Sequence, residues 1–315
     1  GDARGALVTR IETSPYPVGT PGRKWGAAEK AEWLAMQAVK RSYREEVVEP
    51  VQALRDRFDI EQYGALSYDE ARYPLFAVKT KHWREGRHNA LVTGGVHGYE
   101  TSGVQGAIHF LQTRAQEYGA HCNIVVAPCI SPWAYETINR WNPNAVDPNR
   151  SFFADSPAEE SAALMRFVAG LGLQLDLHVD LHETTNTDAS EFRPALAARD
   201  AKDIDLWEDI PDGFYLVGDT ENPRPEFQAA IIRAVEGVTP IAPPDAQGNI
   251  IGEPLQQKGV INYAVKALSL CTGFTDADYC TTTEVYPDSP QVDARNCILA
   301  QVTTVSSALD YLLQH

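Results

Sequence analysis

The chain has 315 residues, 43% hydrophobic and 22% charged, and a formal net charge of −16. The apolar share supports a substantial core. So acidic a balance argues against nucleic acid or an anionic membrane as partner, since both present phosphates that need Lys and Arg. No run approaches the roughly 18 apolar residues of a membrane span, and Gly1-Asp2-Ala3-Arg4 shows no basic segment leading into an apolar one. The cysteines, Cys122, Cys129, Cys271, Cys280 and Cys297, are odd in number, spread out and without a Cys-x-x-Cys pair. That suits reduced thiols, so a cytoplasmic setting is expected.

Residues 14–24 read as a Pro/Gly loop. Over 26–58, Trp33, Met36, Val39, Tyr43, Val47, Val51, Leu54 and Phe58 recur at helical spacing, with Pro50 kinking or splitting the run. From there strands and helices alternate. Strands are expected over 75–78 and 90–96, a helix over 101–116, a strand over 123–128 and a helix over 158–169. A strand over 173–181, another over 214–217 and a helix over 226–235 follow, then strands over 267–270 and 281–286 and a closing helix over 292–313. Short apolar strands interleaved with helices predict an α/β fold with a mixed, mostly parallel central sheet flanked by helices on both faces. Pro and Gly gather over 236–260, a long loop of the kind that carries function. With no repeat or flexible linker, one domain spans 1–315, with 1–75 as an N-terminal helical elaboration.

Four segments carry chemistry. In Gly94-Gly95-Val96-His97-Gly98-Tyr99-Glu100-Thr101 a buried strand ends in glycines and a His-x-x-Glu follows at the strand-to-helix turn. Ligands bind at such strand ends in open α/β sheets, and imidazole with carboxylate is a natural zinc pair. In Asp176-Leu177-His178-Val179-Asp180-Leu181-His182-Glu183-Thr184 the alternation of a strand puts Asp176, His178, Asp180 and His182 on one face and Leu175, Leu177, Val179 and Leu181 on the other. Burying two Asp and two His there is costly unless something satisfies them. His182, at the strand's end, is the best metal donor; His178 lies deeper and reads as structural. Asp180 or His178 would serve a second metal if there were one. The loop from Arg140 to Phe152 crowds Arg140, Asp147, Asn149 and Arg150 into eleven residues. Guanidinium forks suit a free carboxylate, and Asp147 can orient a metal-bound histidine through its second ring nitrogen. Last, Glu284 ends the polar β-rich run Thr281-Thr282-Thr283.

In this order the four segments resemble the zinc carboxypeptidase superfamily, including its succinylglutamate desuccinylase and aspartoacylase branch, over about residues 70–286. The resemblance implies a phosphorylase/hydrolase-like α/β fold and one Zn2+ per chain, held by His97, Glu100 and His182, with Asp147 bonded to His97. It implies that Asn149 and Arg150 hold a substrate's terminal carboxylate, that Arg140 polarises the scissile carbonyl and that Glu284 is the general base. A tyrosine that closes over substrate would be Tyr263, from its distance upstream of Glu284. Ser131-Pro132-Trp133-Ala134-Tyr135-Glu136 and Pro148 depart from the usual family residues without removing a reacting group. The function implied is hydrolysis of an amide bond beside a free carboxylate, first as a metallocarboxypeptidase acting on peptides. The alternative is a deacylase acting on N-acyl amino acids. A non-catalytic binding protein would be marked by loss of Glu284 or of a ligand, and none is lost. Side-chain preference should reside in loops between about 185 and 280, where Asp188, Arg193, Asp219 and Arg224 are equivalent candidates.

Overall fold

A computed structural model describes residues 16–203 and 210–315. Residues 1–4, and the start of the 14–24 loop, lie outside the described residues. Eight strands form one sheet: β1 (Phe58–Ala65), β2 (Pro74–Thr80), β3 (His88–Gly94), β4 (Cys122–Ala127), β5 (Leu177–Leu181), β6 (Tyr215–Asp219), β9 (Val260–Tyr263) and β10 (Tyr279–Glu284). Between β6 and β9 a small hairpin, β7 (Asn249–Ile250) and β8 (Glu253–Pro254), stands apart. The sheet order is β1-β2-β4-β3-β5-β10-β6-β9. Its centre, β4-β3-β5-β10, is parallel, while β2 pairs antiparallel with β4 and β6 with β10.

Seven helices are labelled here: α1 (Ala27–Ala35), α2 (Thr101–Thr113), α3 (Pro132–Thr137), α4 (Glu159–Leu171), α5 (Arg193–Asp200), α6 (Pro225–Val235) and α7 (Ala294–Gln314). The apolar stripes of α2, α6 and α7 bury Ile108, Phe110, Ile231, Val305 and Leu309 against Leu177, Val179 and Leu181 of β5, forming the main core. On the opposite face Phe167 and Val168 of α4 pack against Ala77, Leu91 and Val125. The central strands are therefore covered on both faces, which is why they read as continuous apolar runs. No helix among the described residues is long and apolar enough to cross a membrane.

Three elements differ from the sequence expectation. The 26–58 run holds α1, a wide turn over Arg44–Val48 and one helical turn at Glu49–Gln52, and by Phe58 it has become β1. Pro50 directly follows the wide turn, whose widened bonding fits a residue that cannot donate a regular helical N–H bond. Residues 267–270 form a turn with Ser269 at φ 58, and the strand of that region is β9. Leu175 packs with Leu91 and Val125 rather than with Leu177, because regular strand begins only at Leu177.

Candidate metal centre

The register of three neighbouring strands levels their carboxyl ends. Thr93 pairs with Asp180 and Gly94 with Leu181 across β3 and β5, and Thr282 pairs with Asp180 across β10 and β5. Two residues further, His182 and Glu284 leave adjacent strands on one face. Beyond β3 the chain turns through Gly95, whose φ of 64 favours glycine, and brings round His97 and then Glu100, the residue preceding α2. Gly98 lets this turn lie against α3: a Cβ there would fall 2.1 Å from the Tyr135 amide nitrogen.

The three side chains converge. His97 Nδ1 lies 2.7 Å from Glu100 Oε2, and His182 Nδ1 lies 2.9 Å from Glu100 Oε1. One donor atom from each lies within 4.8 Å of the others, and all three residues are buried. Each histidine turns its other nitrogen to a second carboxylate: His97 Nε2 to Asp147 Oδ1 at 2.8 Å, His182 Nε2 to Asp180 Oδ2 at 2.5 Å. Ionised carboxylates only accept, so each Nε2 carries a proton. In the neutral rings both Nδ1 atoms are then lone pairs facing the two oxygens of Glu100. Only positive charge between them relieves that arrangement, either a proton on each ring or one cation bound by all three groups. Burial opposes the charge on Glu100, but His97 and His182 outweigh it and hold the carboxyl well below its usual range. Burial likewise opposes a charged His182, yet Asp180 and Glu100 push its imidazole well above the ordinary value. Two imidazoles and a carboxylate, with both rings oriented by carboxylates, are a donor set that fits zinc.

Asp147 also accepts from the Asn149 amide at 2.8 Å and from Arg140 Nε at 3.0 Å. Burial would raise its carboxyl, but His97 and Arg140 prevail and keep it well below the carboxylate range. Arg140 is braced again by the Tyr99 hydroxyl at 3.0 Å and by Asp188 at 3.7 Å, and the Tyr99 hydroxyl donates to Asp188. This Tyr99–Asp188 brace was not legible in the sequence, although Tyr99 lies inside the His97–Glu100 motif. Asn149 is buried and its Oδ1 accepts from the Cys271 amide at 2.9 Å, whereas Arg150 is exposed. Glu284 Oε2 accepts from the Thr184 hydroxyl at 2.9 Å. Burial, with Glu100 adding to it and His182 opposing, pushes the Glu284 carboxyl up to about 8. Tyr263 ends β9.

His97, Glu100, His182, Asp147, Arg140, Asn149, Arg150, Tyr263 and Glu284 all line one cleft of about 840 Å³. Of the four candidates for side-chain preference, Asp188 and Arg193 line it too. Asp219 and Arg224 do not; Arg224 stacks on the Tyr279 ring at 4.5 Å. Beneath the cleft floor a second group, His178, Asp180 and Cys271, also brings its donor atoms within 4.8 Å of one another.

Residues 87–204 match the family described as the succinylglutamate desuccinylase/aspartoacylase catalytic domain. Among curated proteins no sequence matches the chain. A solved protein from Shewanella amazonensis, provisionally named a metallopeptidase, superposes with a TM-score of 0.65 at 18% identity, covering 88% of this chain and 99% of its own. A metallo-carboxypeptidase from Burkholderia cenocepacia gives 0.59 at 13% identity, over 86% of this chain and 68% of its own. One from Pseudomonas aeruginosa, in complex with (2-guanidinoethylmercapto)succinic acid, gives 0.57 at 15%, over 85% and 68%. The chain thus shares the fold of these metallo-carboxypeptidases, and the stretch of it that carries His97, Glu100 and His182 is similar to the succinylglutamate desuccinylase/aspartoacylase catalytic domain.

Proposed function

We propose that this protein is a zinc-dependent hydrolase that cuts an amide bond beside a free carboxylate, acting as a metallocarboxypeptidase that removes C-terminal residues from peptides. The observation that carries the reading is the convergence of His97, Glu100 and His182 beside Glu284 in one cleft. One zinc per chain, held by those three residues, would supply a Lewis acid that acidifies a water and polarises the substrate carbonyl. Glu284 takes a proton from the attacking water and delivers it to the leaving amine. Arg140, fixed by Asp147, Tyr99 and Asp188, offers its charge to the oxyanion without reorganising. Asn149 and Arg150 bind the terminal carboxylate, so only the bond next to a chain end reaches Glu284. Tyr263 closes over the bound residue. Buried thiols at all five cysteines accord with a cytoplasmic setting.

The match over 87–204 favours a second reading at the same site, deacylation of N-acyl amino acids. A cleft of about 840 Å³ near the upper end of small-ligand pockets supports the peptide reading. The test is a panel of unblocked peptides, C-terminally amidated peptides and N-acyl amino acids with zinc-loaded protein. Faster turnover of unblocked peptides supports the carboxypeptidase. Turnover of N-acyl amino acids alone overturns it in favour of the deacylase. Equal cleavage of amidated peptides removes the carboxylate clamp.

A further inference from the structure

The buried group under the cleft is a chain of hydrogen bonds, and counting its protons gives it a direction. His182 Nε2 donates to Asp180 Oδ2 at 2.5 Å, and the Thr93 hydroxyl donates to Asp180 Oδ1 at 2.7 Å. Thr93 has one proton and has spent it on Asp180. At 2.9 Å from His178 Nε2 it therefore acts as acceptor, so His178 carries its proton on Nε2. His178 Nδ1 is then a lone pair, and at 2.9 Å it takes the hydroxyl proton of Thr275 in preference to the Thr272 carbonyl, which lies 3.5 Å from that hydroxyl. Every donor meets an acceptor from Thr275 to His182. The opposite tautomer of His178 would draw the Thr93 proton away from Asp180 and leave that oxygen of a fully buried carboxylate only the weakly donating Cys271 thiol, a poorer state.

We propose that Thr93 and His178 are positioning residues that act through Asp180 to fix the proton on His182 Nε2, so that His182 Nδ1 stays a lone pair aimed at the cation. This rests on the metal-centre reading above. Thr93 locks the Asp180 carboxylate at one oxygen and so sets which oxygen meets His182; His178 holds Thr93 in the donating rotamer. Burial pushes the His178 imidazole down to about 4, which keeps it neutral, as the chain requires. Cys271 Sγ stands 3.8 Å from both Thr93 Oγ1 and His178 Nε2 and also reaches Asp180, where its thiol is only a weak donor beside the Thr93 hydroxyl. The same three residues, His178, Asp180 and Cys271, are thus saturated by protons rather than assembled as a second metal site.

The test measures zinc affinity of the full chain by chelator competition in the wild type, Thr93→Val, Thr93→Ser, His178→Gln and Cys271→Ala, with melting temperatures alongside. Thr93→Val, which loses the hydroxyl and keeps the shape, weakens zinc by about tenfold, the lower end of what orienting partners of metal-bound histidines contribute. Thr93→Ser stays within about threefold of wild type, since it keeps the hydroxyl, although both variants lose thermal stability. His178→Gln, which keeps an N–H, falls between them. Imidazole nitrogen-15 spectra place the His178 proton on Nε2. If Thr93→Val and Thr93→Ser bind zinc as wild type does while melting lower, the two residues are structural only. A proton on His178 Nδ1 reverses the chain and overturns the proposal. Two zinc equivalents falling to one in Cys271→Ala make the group a metal site instead. A wild type that binds no divalent metal removes the metal-centre reading itself, an outcome distinct from equal binding by wild type and variants.

Discussion

Replacing Glu284 by Gln should remove most of the turnover and make the metal-free protein more stable. The substitution is nearly isosteric, and its carbonyl oxygen can still accept the Thr184 hydroxyl bond. It removes the group proposed to move the proton, and general acid–base catalysis is worth about 10²–10⁴ in kcat. The stability gain follows from burial, which raises the folded carboxyl to about 8 from its ordinary 4.5. A carboxyl raised on folding binds its proton more tightly in the folded state, so wild-type stability falls as pH rises between those two values. At one unit per roughly 1.4 kcal/mol, the strain at pH 7 is at most about 3 kcal/mol, and partial solvent access to Glu284 reduces it to about 1–2 kcal/mol. For a chain of this length that is a rise of about 2–3 °C in Tm. The difference between variant and wild type should be near zero at pH 5 and should grow towards pH 8. Zinc shrinks it, because a bound dication stabilises the ionised carboxyl. Melting curves across pH with and without zinc, together with single-turnover rates on zinc-loaded protein, read both effects. A variant that keeps its zinc and turns over within tenfold of wild type refutes Glu284 as base. A metal-free variant that melts lower at pH 8 refutes the burial argument.

Three further outcomes are expected. Asp147→Asn keeps an acceptor for His97 but turns an amide towards Arg140, so zinc affinity should fall about 10–100-fold by chelator competition. Arg150→Ala should raise KM about 10–100-fold for substrates with a free carboxylate, with kcat little changed, because a charge-assisted hydrogen bond is lost from ground and transition states alike; the effect should vanish for amidated substrates. Removing zinc with a chelator should lower Tm by an amount that depends on zinc concentration, as mass action requires, and zinc should restore it.

The site was legible to the extent that its residues break a pattern. Polar groups at period two inside an apolar strand stand out, so His182 and its neighbours could be found, and glycines before His97 mark a strand end. What escaped is what depends on register and on partners far away in sequence. Thr93 is an unremarkable strand threonine until β3 and β5 align it with Asp180. Tyr99 and Asp188 meet only because the chain after β5 returns over the His97 turn. The fold shows the same division. Strands buried on both faces are plain as apolar runs, whereas β1 has no such signal beyond Phe58, which the helical spacing from Trp33 onward claims, although Trp33 and Tyr43 serve two separate clusters, Met36 and Val39 are exposed and Phe58 opens a strand. Propensity there yielded to pairing with β2, which fixes Phe58 opposite Thr80.

One short segment, residues 271–275, links the parts of this site that do not touch each other. The Cys271 amide holds Asn149 in the loop that would clamp the substrate carboxylate, and the Thr275 hydroxyl starts the hydrogen-bond chain that ends at His182. Between them Phe274 stacks on Phe152 with ring centroids 5.2 Å apart and meets the His178 ring edge-on at 6.1 Å. Packing of this kind permits few intermediate positions, so a shift of the segment would displace Asn149 and the His178 chain together. In the proposed reading, carboxylate binding and ligand orientation would in this way be fixed by the same backbone. A substitution that loosens it, Phe274→Ala, should therefore raise KM and weaken zinc in parallel, by isothermal calorimetry and chelator competition, whereas damage confined to either function would mean that the segment merely fills space.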